Sequence, residues 1–162
     1  FCLESEFAFR IATPPAPRTE PYSHDELRDT ISEVIPVFAL ICPRFSEIPR
    51  GDGLGAIADC GVGGGIVLGK PERDLASLDL ANHTVRFSVD GNEIVQGTAA
   101  MVMNHPLNAL AWTVAKLSSL GVALRAGQLI TTGTCTGVNF VEVGQEACAD
   151  FMSLGSVKAK FV

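Results

Sequence analysis

Glu4 and Glu6, in the run Glu4-Ser5-Glu6, are the residues whose type and spacing are best suited to chemistry. On an extended chain, positions i and i+2 project to one face about 7 Å apart. Two carboxylates so placed suit a hard cation. Mg2+ and Mn2+ prefer oxygen ligands, and a catalytic ion combines a few carboxylates with waters and substrate oxygens. The same pair also fits a solvated strand face on which polar and apolar positions alternate. Among the histidines, His24 falls in the first turn of a surface helix and His83 in a loop, while His105, just before Pro106, could face a cleft and do acid–base work. Thr132 and Thr134, in the run TTGT, fall where a strand end can offer hydroxyls to a substrate. The five cysteines (Cys2, Cys42, Cys60, Cys135, Cys148) contain no C-x-x-C pair and are odd in number. They suit neither a zinc knuckle nor a disulfide framework and read mostly as small buried hydrophobes.

The elements that must position these groups follow from periodicity. Residues 3–11 alternate, with Leu3, Phe7, Phe9 and Ile11 on one face and Glu4, Glu6, Ala8 and Arg10 on the other, which predicts a strand. A proline-rich loop follows. Ser23 and Glu26 then match a capping box, with Leu27, Ile31 and Val34 at helical spacing and Pro36 as the stop. Val37 to Ile41 reads as a buried strand. Residues 51–70 hold eight glycines around a short strand, Gly65 to Leu68. Asp90-Gly91-Asn92 joins two hairpin arms, Thr84 to Val89 and Glu93 to Gly97. Pro106 to Leu120 is the clearest helix, with an apolar stripe of Leu107, Leu110, Ala111, Val114 and Leu117 and with Gly121 after its end. Short strands then cover Gln128–Thr132, Asn139–Val143, Glu146–Met152 and Ser156–Phe161. No βαβ alternation appears, so the expected class is α+β, mainly β, with two embedded helices.

Composition narrows the function classes. At 162 residues, 47% apolar and 19% charged, the chain is expected to form one soluble domain over 1–162. A net charge of −6 without any run of Lys or Arg excludes a nucleic-acid partner. Apolar stretches are broken well before the roughly 18 residues of a membrane span. With no secretory signal, the expected compartment is a reducing cytoplasm. Phe1 opens onto the first strand without an initiator Met, which leaves processing, upstream truncation or numbering from a first ordered residue open.

In order along the chain, ESEFAFRIA, VIPVFALICPRF, AIADCGVGGGIVLG, DGNEIVQG, HPLNALAWTVAKLSSLGVALRAGQLITTGT and LGSVKAKF resemble the 2-keto-4-pentenoate hydratase and oxalocrotonate decarboxylase branch of the fumarylacetoacetate hydrolase superfamily. The resemblance covers almost all 162 residues. It implies the fumarylacetoacetate-hydrolase-like mixed β-sheet roll and a carboxy-terminal core, with no counterpart here of the family's upstream glycine-rich, lysine-bearing segment. It also implies a metal-assisted hydratase-like lyase of short 2-hydroxydienoate or 2-oxo acids in aromatic-compound catabolism. A decarboxylase and a noncatalytic relative are the alternatives. Glu4 and Glu6 match two of the family's metal carboxylates, for Mg2+ or Mn2+. The third carboxylate position is Ala39, which implies a weakened site. In the family's A-D-N-[small]-S stretch this chain keeps Asp59 but has Cys60 and Val62 in place of the polar Asn and Ser. Arg44 matches a family arginine suited either to an ion pair or to a substrate carboxylate. Asp59, Arg44 and Thr134 are therefore the expected catalytic assistants. The partner is a small 2-oxoacid or dienol acid, and self-association as a homo-oligomer is expected.

Overall fold

The computed structural model describes residues 1–18, 20–46 and 53–162. Strands β1 (Cys2–Ile11), β2 (Ile31–Ile41), β3 (Gly63–Leu68), β4 (Thr84–Val89), β5 (Asn92–Thr98), β6 (Leu129–Phe140), β7 (Glu146–Asp150) and β8 (Ser156–Lys160) form two four-stranded sheets. Their orders are β3-β2-β1-β6 and β5-β4-β7-β8, and every named strand pair is antiparallel. Helices α1 (His24–Arg28), α2 (Gly53–Ala58) and α3 (Pro106–Ser119) connect them. The mainly β, α+β class is what the alternation predicts. The sheets are antiparallel rather than mixed, and the described residues contain three helices rather than two.

The first sheet is organised around β1. Leu3, Phe7, Phe9 and Ile11 are fully or almost fully buried, and Ser5 lies with them on that face. They pack with Phe38, Phe87, Phe151, Leu107 and Leu110 in the main core. Phe7 meets Phe151 edge-on, with ring centroids 5.2 Å apart, the arrangement favoured by aromatic quadrupoles. On the opposite face, Ala8, Ile35 and Val37 make a small second cluster. Beyond it, Glu33 is held by Arg10 at 2.7 Å and Arg73 at 2.6 Å, and these guanidiniums keep its carboxyl below the usual range, the Arg10 bond foremost.

One predicted helix is cut short. The capping box at Ser23 and Glu26 is present, but α1 ends at Arg28. Ile31 and Val34 belong to β2, which runs through Pro36. The apolar run Ile31 to Ile41 satisfies both periods locally, and pairing along ten residues of β1 decides for the strand. The strands expected at Gln128–Thr132 and Asn139–Val143 merge into one long, irregular β6. Gly51 and Asp52, in the glycine-rich segment, lie outside the described residues. Gly53–Ala58, in that glycine-rich segment, is helical.

The turn at Asp90 and Gly91 has φ 49° and 80°, as a tight two-residue hairpin requires. Helix α3 starts at Pro106, buries the predicted stripe positions Leu107, Leu110 and Val114, and is followed by Gly121 at φ 69°. The two sheets meet where β5 crosses β6. A Cβ on Gly97 would overlap the Cys135 carbonyl oxygen, so only glycine fits this crossing.

The cysteines differ from expectation. Only Cys135 is buried, and Cys42 and Cys60 are exposed, because the segment following β2 and the turn before β3 lie at the sheet's edge. None of the five forms a disulfide.

Candidate functional site

The pleat places Glu4 and Glu6 on the same face of β1, as the spacing requires. Rows across the sheet define their surroundings. Glu4 lies between Ala39 on β2 and Val138 on β6, and Ile66 on β3 extends that row. Glu6 lies between Val37 and Thr134, with Leu68 beyond. Ile66, Leu68 and Val138 are exposed, so the face is open and largely apolar around two carboxylates.

Glu6 is the buried member of the pair, at 4% exposure, whereas Glu4 is partly accessible. Its carboxylate accepts the Gly133 N–H at 2.7 Å. The supply of that donor is a consequence of β6's irregularity. Between the pairings Ala8–Thr131 and Glu6–Thr134, β6 carries one more residue than β1, and between Glu6–Thr134 and Glu4–Val138 it carries two more. Such bulges release backbone groups from the ladder and re-aim them. Gly133 sits inside the first bulge at φ 104°, a conformation that favours glycine. Burial pushes the Glu6 carboxyl up to about 7; the Gly133 N–H opposes the rise, and Glu4, in charge and hydrogen-bond contact, adds to it. Thr131, close by, favours the charged form of Glu6.

Asp59 and Arg44 form a second constellation at the end of β2. Arg44 Nη1 donates to Asp59 Oδ1 at 3.0 Å and to the Asp59 carbonyl at 3.0 Å, while Nη2 donates to the Gly63 carbonyl at 2.8 Å. The Arg44 backbone N–H also donates to Asp59 Oδ2 at 3.1 Å. Asp59 is 1% exposed, so its charge is compensated by this one arginine and the chain around it. The pair ties the α2–β3 segment to the residues that follow β2. Thr134 lies opposite Glu6, yet its hydroxyl donates to the Gly137 carbonyl at 2.9 Å and accepts the Thr136 N–H. Thr132 donates to the Phe7 carbonyl.

The histidines are held by the fold. His83 contacts the Phe151 carbonyl at 2.6 Å, and His24 contacts Asn108 Oδ1 at 2.7 Å. His105 caps α3: its Nδ1 accepts the Leu107 N–H at 3.0 Å. Cys135 is inert, its thiol pushed up to about 12 by burial and by Glu6.

Sequence reasoning missed Thr131 and Gly133. The available signal was a glycine inside an otherwise β-branched run, which marks a bulge or a close approach. Among the described residues, no group of three or more His, Cys, Asp or Glu side chains is gathered for a metal. The two glutamates nevertheless fit a divalent ion. They are like-charged, in contact and one is desolvated, so a dication would relieve the strain that a proton relieves near neutrality. Ala39 leaves the third side of that position open.

Comparison with known proteins identifies the family. The family profile described as Fumarylacetoacetate (FAA) hydrolase C-terminal matches residues 4–162. The 2-oxo-hept-4-ene-1,7-dioate hydratase of Escherichia coli is 31% identical over 166 residues, covering 99% of this chain and 61% of that protein. The 2-keto-4-pentenoate hydratase of Paraburkholderia xenovorans (strain LB400) is 30% identical over 145 residues, covering 88% and 53%. Among solved structures, the 4-oxalocrotonate decarboxylase from Pseudomonas putida G7, complexed with magnesium and adipate, superposes with a TM-score of 0.88 at 26% identity, covering 99% of this chain and 60% of that one. The chain spans between 36% and 61% of the length of the curated relatives it matches. With residues 4–162 matched by the family profile, the chain belongs to the fumarylacetoacetate hydrolase family.

Proposed function

We propose that this chain is the carboxylate-bearing core of a metal-assisted, hydratase-type lyase acting on short 2-hydroxydienoate or 2-oxo acids, in the breakdown of aromatic compounds. The observation that carries the reading is the contact pair Glu4–Glu6, with Glu6 buried and its carboxyl raised to about 7, on an open sheet face. Glu4 and Glu6 would hold Mg2+ or Mn2+. When bound, such an ion supplies a Lewis acid for the 2-oxo and carboxylate oxygens and stabilises enolate-like charge. The chain's own residues do the rest by position. The Gly133 N–H fixes the Glu6 carboxylate. Arg44 and Asp59 brace the segment entering β3, leaving the exposed edge of the guanidinium able to meet an anionic substrate. Thr134, through its bonds to Gly137 and Thr136, holds the second β6 bulge, between the rows of Glu6 and Glu4. Because Ala39 adds no carboxylate, water and substrate oxygens fill more of the coordination sphere and affinity is weaker than with three carboxylates.

The experiment is a calorimetric titration of the chain with Mg2+ and Mn2+, followed by pyruvate, beside a Glu4→Gln/Glu6→Gln variant. Binding by the unaltered chain and loss in the variant support the site. Full metal binding by the variant sinks it.

Two further readings have specific support. The decarboxylase of high structural similarity would use the same chelated 2-oxo acid, and product analysis separates hydration from loss of CO2. A noncatalytic relative is favoured by Ala39 facing Glu4; metal-dependent turnover by the unaltered chain would remove it. A cytoplasmic homo-oligomer is the proposed setting. No described helix is long and apolar enough to cross a membrane.

A further inference from the structure

A groove of about 390 Å³ opens beside Glu6, between α3 and the bulged part of β6. Met103, Ala109, Trp112 and Thr113 line its helix side, and Thr131 and Gly133 its strand side. Gly133 is the residue whose N–H donates to the Glu6 carboxylate. Groove and carboxylate site therefore share a wall.

Two features of the groove are unusual for a surface that does nothing. Trp112 is 59% exposed and Met103 51%, so two of the largest apolar side chains in the chain stand at its rim. Met103 and Asn104 both have left-handed backbone, φ 48° and 67°, which costs non-glycine residues free energy. Asn108 Nδ2 holds the turn by donating to the Met103 carbonyl at 2.8 Å. Among the described residues, none lining the groove is charged.

The curated relatives are named for acids of two kinds. Their names include acids with apolar tails, such as 2-hydroxyhexa-2,4-dienoate, and diacids, such as 2-oxo-hept-4-ene-1,7-dioate, at 34% and 31% identity. We infer that the groove receives the tail of the acid held at Glu4 and Glu6, and that this tail is an extended apolar chain or ring lying against Trp112, not a second carboxylate. This rests on the metal-assisted reading above. A terminal carboxylate would enter a wall with no cation to pair it and would stay in water or bind at a penalty. An alkyl tail gains from leaving water, by about fourfold in affinity per methylene.

The test is calorimetric binding, in the presence of Mg2+, of pyruvate, 2-oxohexanoate and 2-oxoadipate; the last two differ only at the tail's end. We expect 2-oxohexanoate to bind at least about tenfold more tightly than either of the others. Thr113→Arg should narrow or reverse the preference over 2-oxoadipate by supplying a cation. Trp112→Ala, at an exposed position that leaves the core intact, should abolish most of the gain from pyruvate to 2-oxohexanoate. If 2-oxoadipate binds the unaltered chain as tightly as 2-oxohexanoate, or if Trp112→Ala keeps the full gain, the groove assignment is overturned while the metal site stands. If pyruvate itself shows no Mg2+-dependent binding, the metal reading fails and the groove assignment with it.

Discussion

Ala39 is the residue directly across the β1–β2 ladder from Glu4. Directly opposed residues on one sheet face bring their Cβ atoms to about 5 Å, so a longer side chain at Ala39 would reach the Glu4 and Glu6 carboxylates. Ala39 is partly exposed, and its neighbour across β3 is Ile66, which is exposed as well, so there is room for a glutamate. We expect Ala39→Glu to tighten Mg2+ and Mn2+ binding by about tenfold or more, roughly 1.4 kcal/mol. In chelator-treated protein the same change should cost stability, because a third carboxylate joins two. Unchanged metal affinity in calorimetry would show that the Ala39 side does not face the ion.

The Glu6 carboxyl gives a pH dependence with a definite sign. Its carboxyl is raised from 4.5 to about 7 in the folded chain. Between those values the native state holds a proton that the unfolded chain has released, so this group's contribution to stability falls as pH rises from about 4.5 through 7. The full effect above 7 is on the order of 3 kcal/mol. Glu6→Gln keeps an acceptor for the Gly133 N–H and removes the charge. In the presence of a chelator it should therefore raise the unfolding midpoint at pH 8 and change it little at pH 4.5. Equal effects at both pH values would mean that Glu6 is not desolvated.

The strand pattern was readable in the sequence because β1, the hairpin around Asp90-Gly91 and α3 each present one clear period with matching turn or cap residues. The carboxylate pair was readable for the same reason: period 2 puts Glu4 and Glu6 on one face. The fate of Ile31 and Val34 was not, since a short apolar run suits helix or strand and only pairing with β1 decides. Nor was the role of Gly133, which depends on a bulge whose register exists only between strands that bring together residues 127 positions apart in the chain. The groove combines residues of α3 and β6, so no local spacing marks it.

Gly97 tests how the two sheets are joined. A methyl group there would meet the Cys135 carbonyl oxygen and carbon, which are backbone and cannot swing aside. Gly97→Ala should cost about 3 kcal/mol, seen as a lower denaturant midpoint with an unchanged slope. Gly91→Ala is a useful contrast: nothing lies near its Cβ, and the penalty there comes only from φ 80°. A loss at Gly97 no larger than at Gly91 would mean that β5 and β6 can separate at little cost.

His105 should make the docking of α1 on α3 sensitive to acid. Its Nδ1 accepts the Leu107 N–H and must be unprotonated to do so, while its ring lies on His24 with centroids 4.3 Å apart. Burial, foremost, and then the positive charges of His24 and Arg28 lower the pKa of His105 below 6.5, with Asp79 opposing. A folded pKa below the unfolded value means that the contribution is present above about 6.5 and is lost as pH falls toward the folded pKa. Protonation on Nδ1 would remove a cap worth about 1 kcal/mol and set a charged ring against His24. His105→Asn retains a capping side chain that does not titrate. Thermal unfolding between pH 7.5 and 5 should show a smaller loss of midpoint in His105→Asn than in the unaltered chain, because the Glu6 contribution is common to both and cancels in the comparison. An equal loss in the two proteins would remove His105 from the acid response and assign it to other groups.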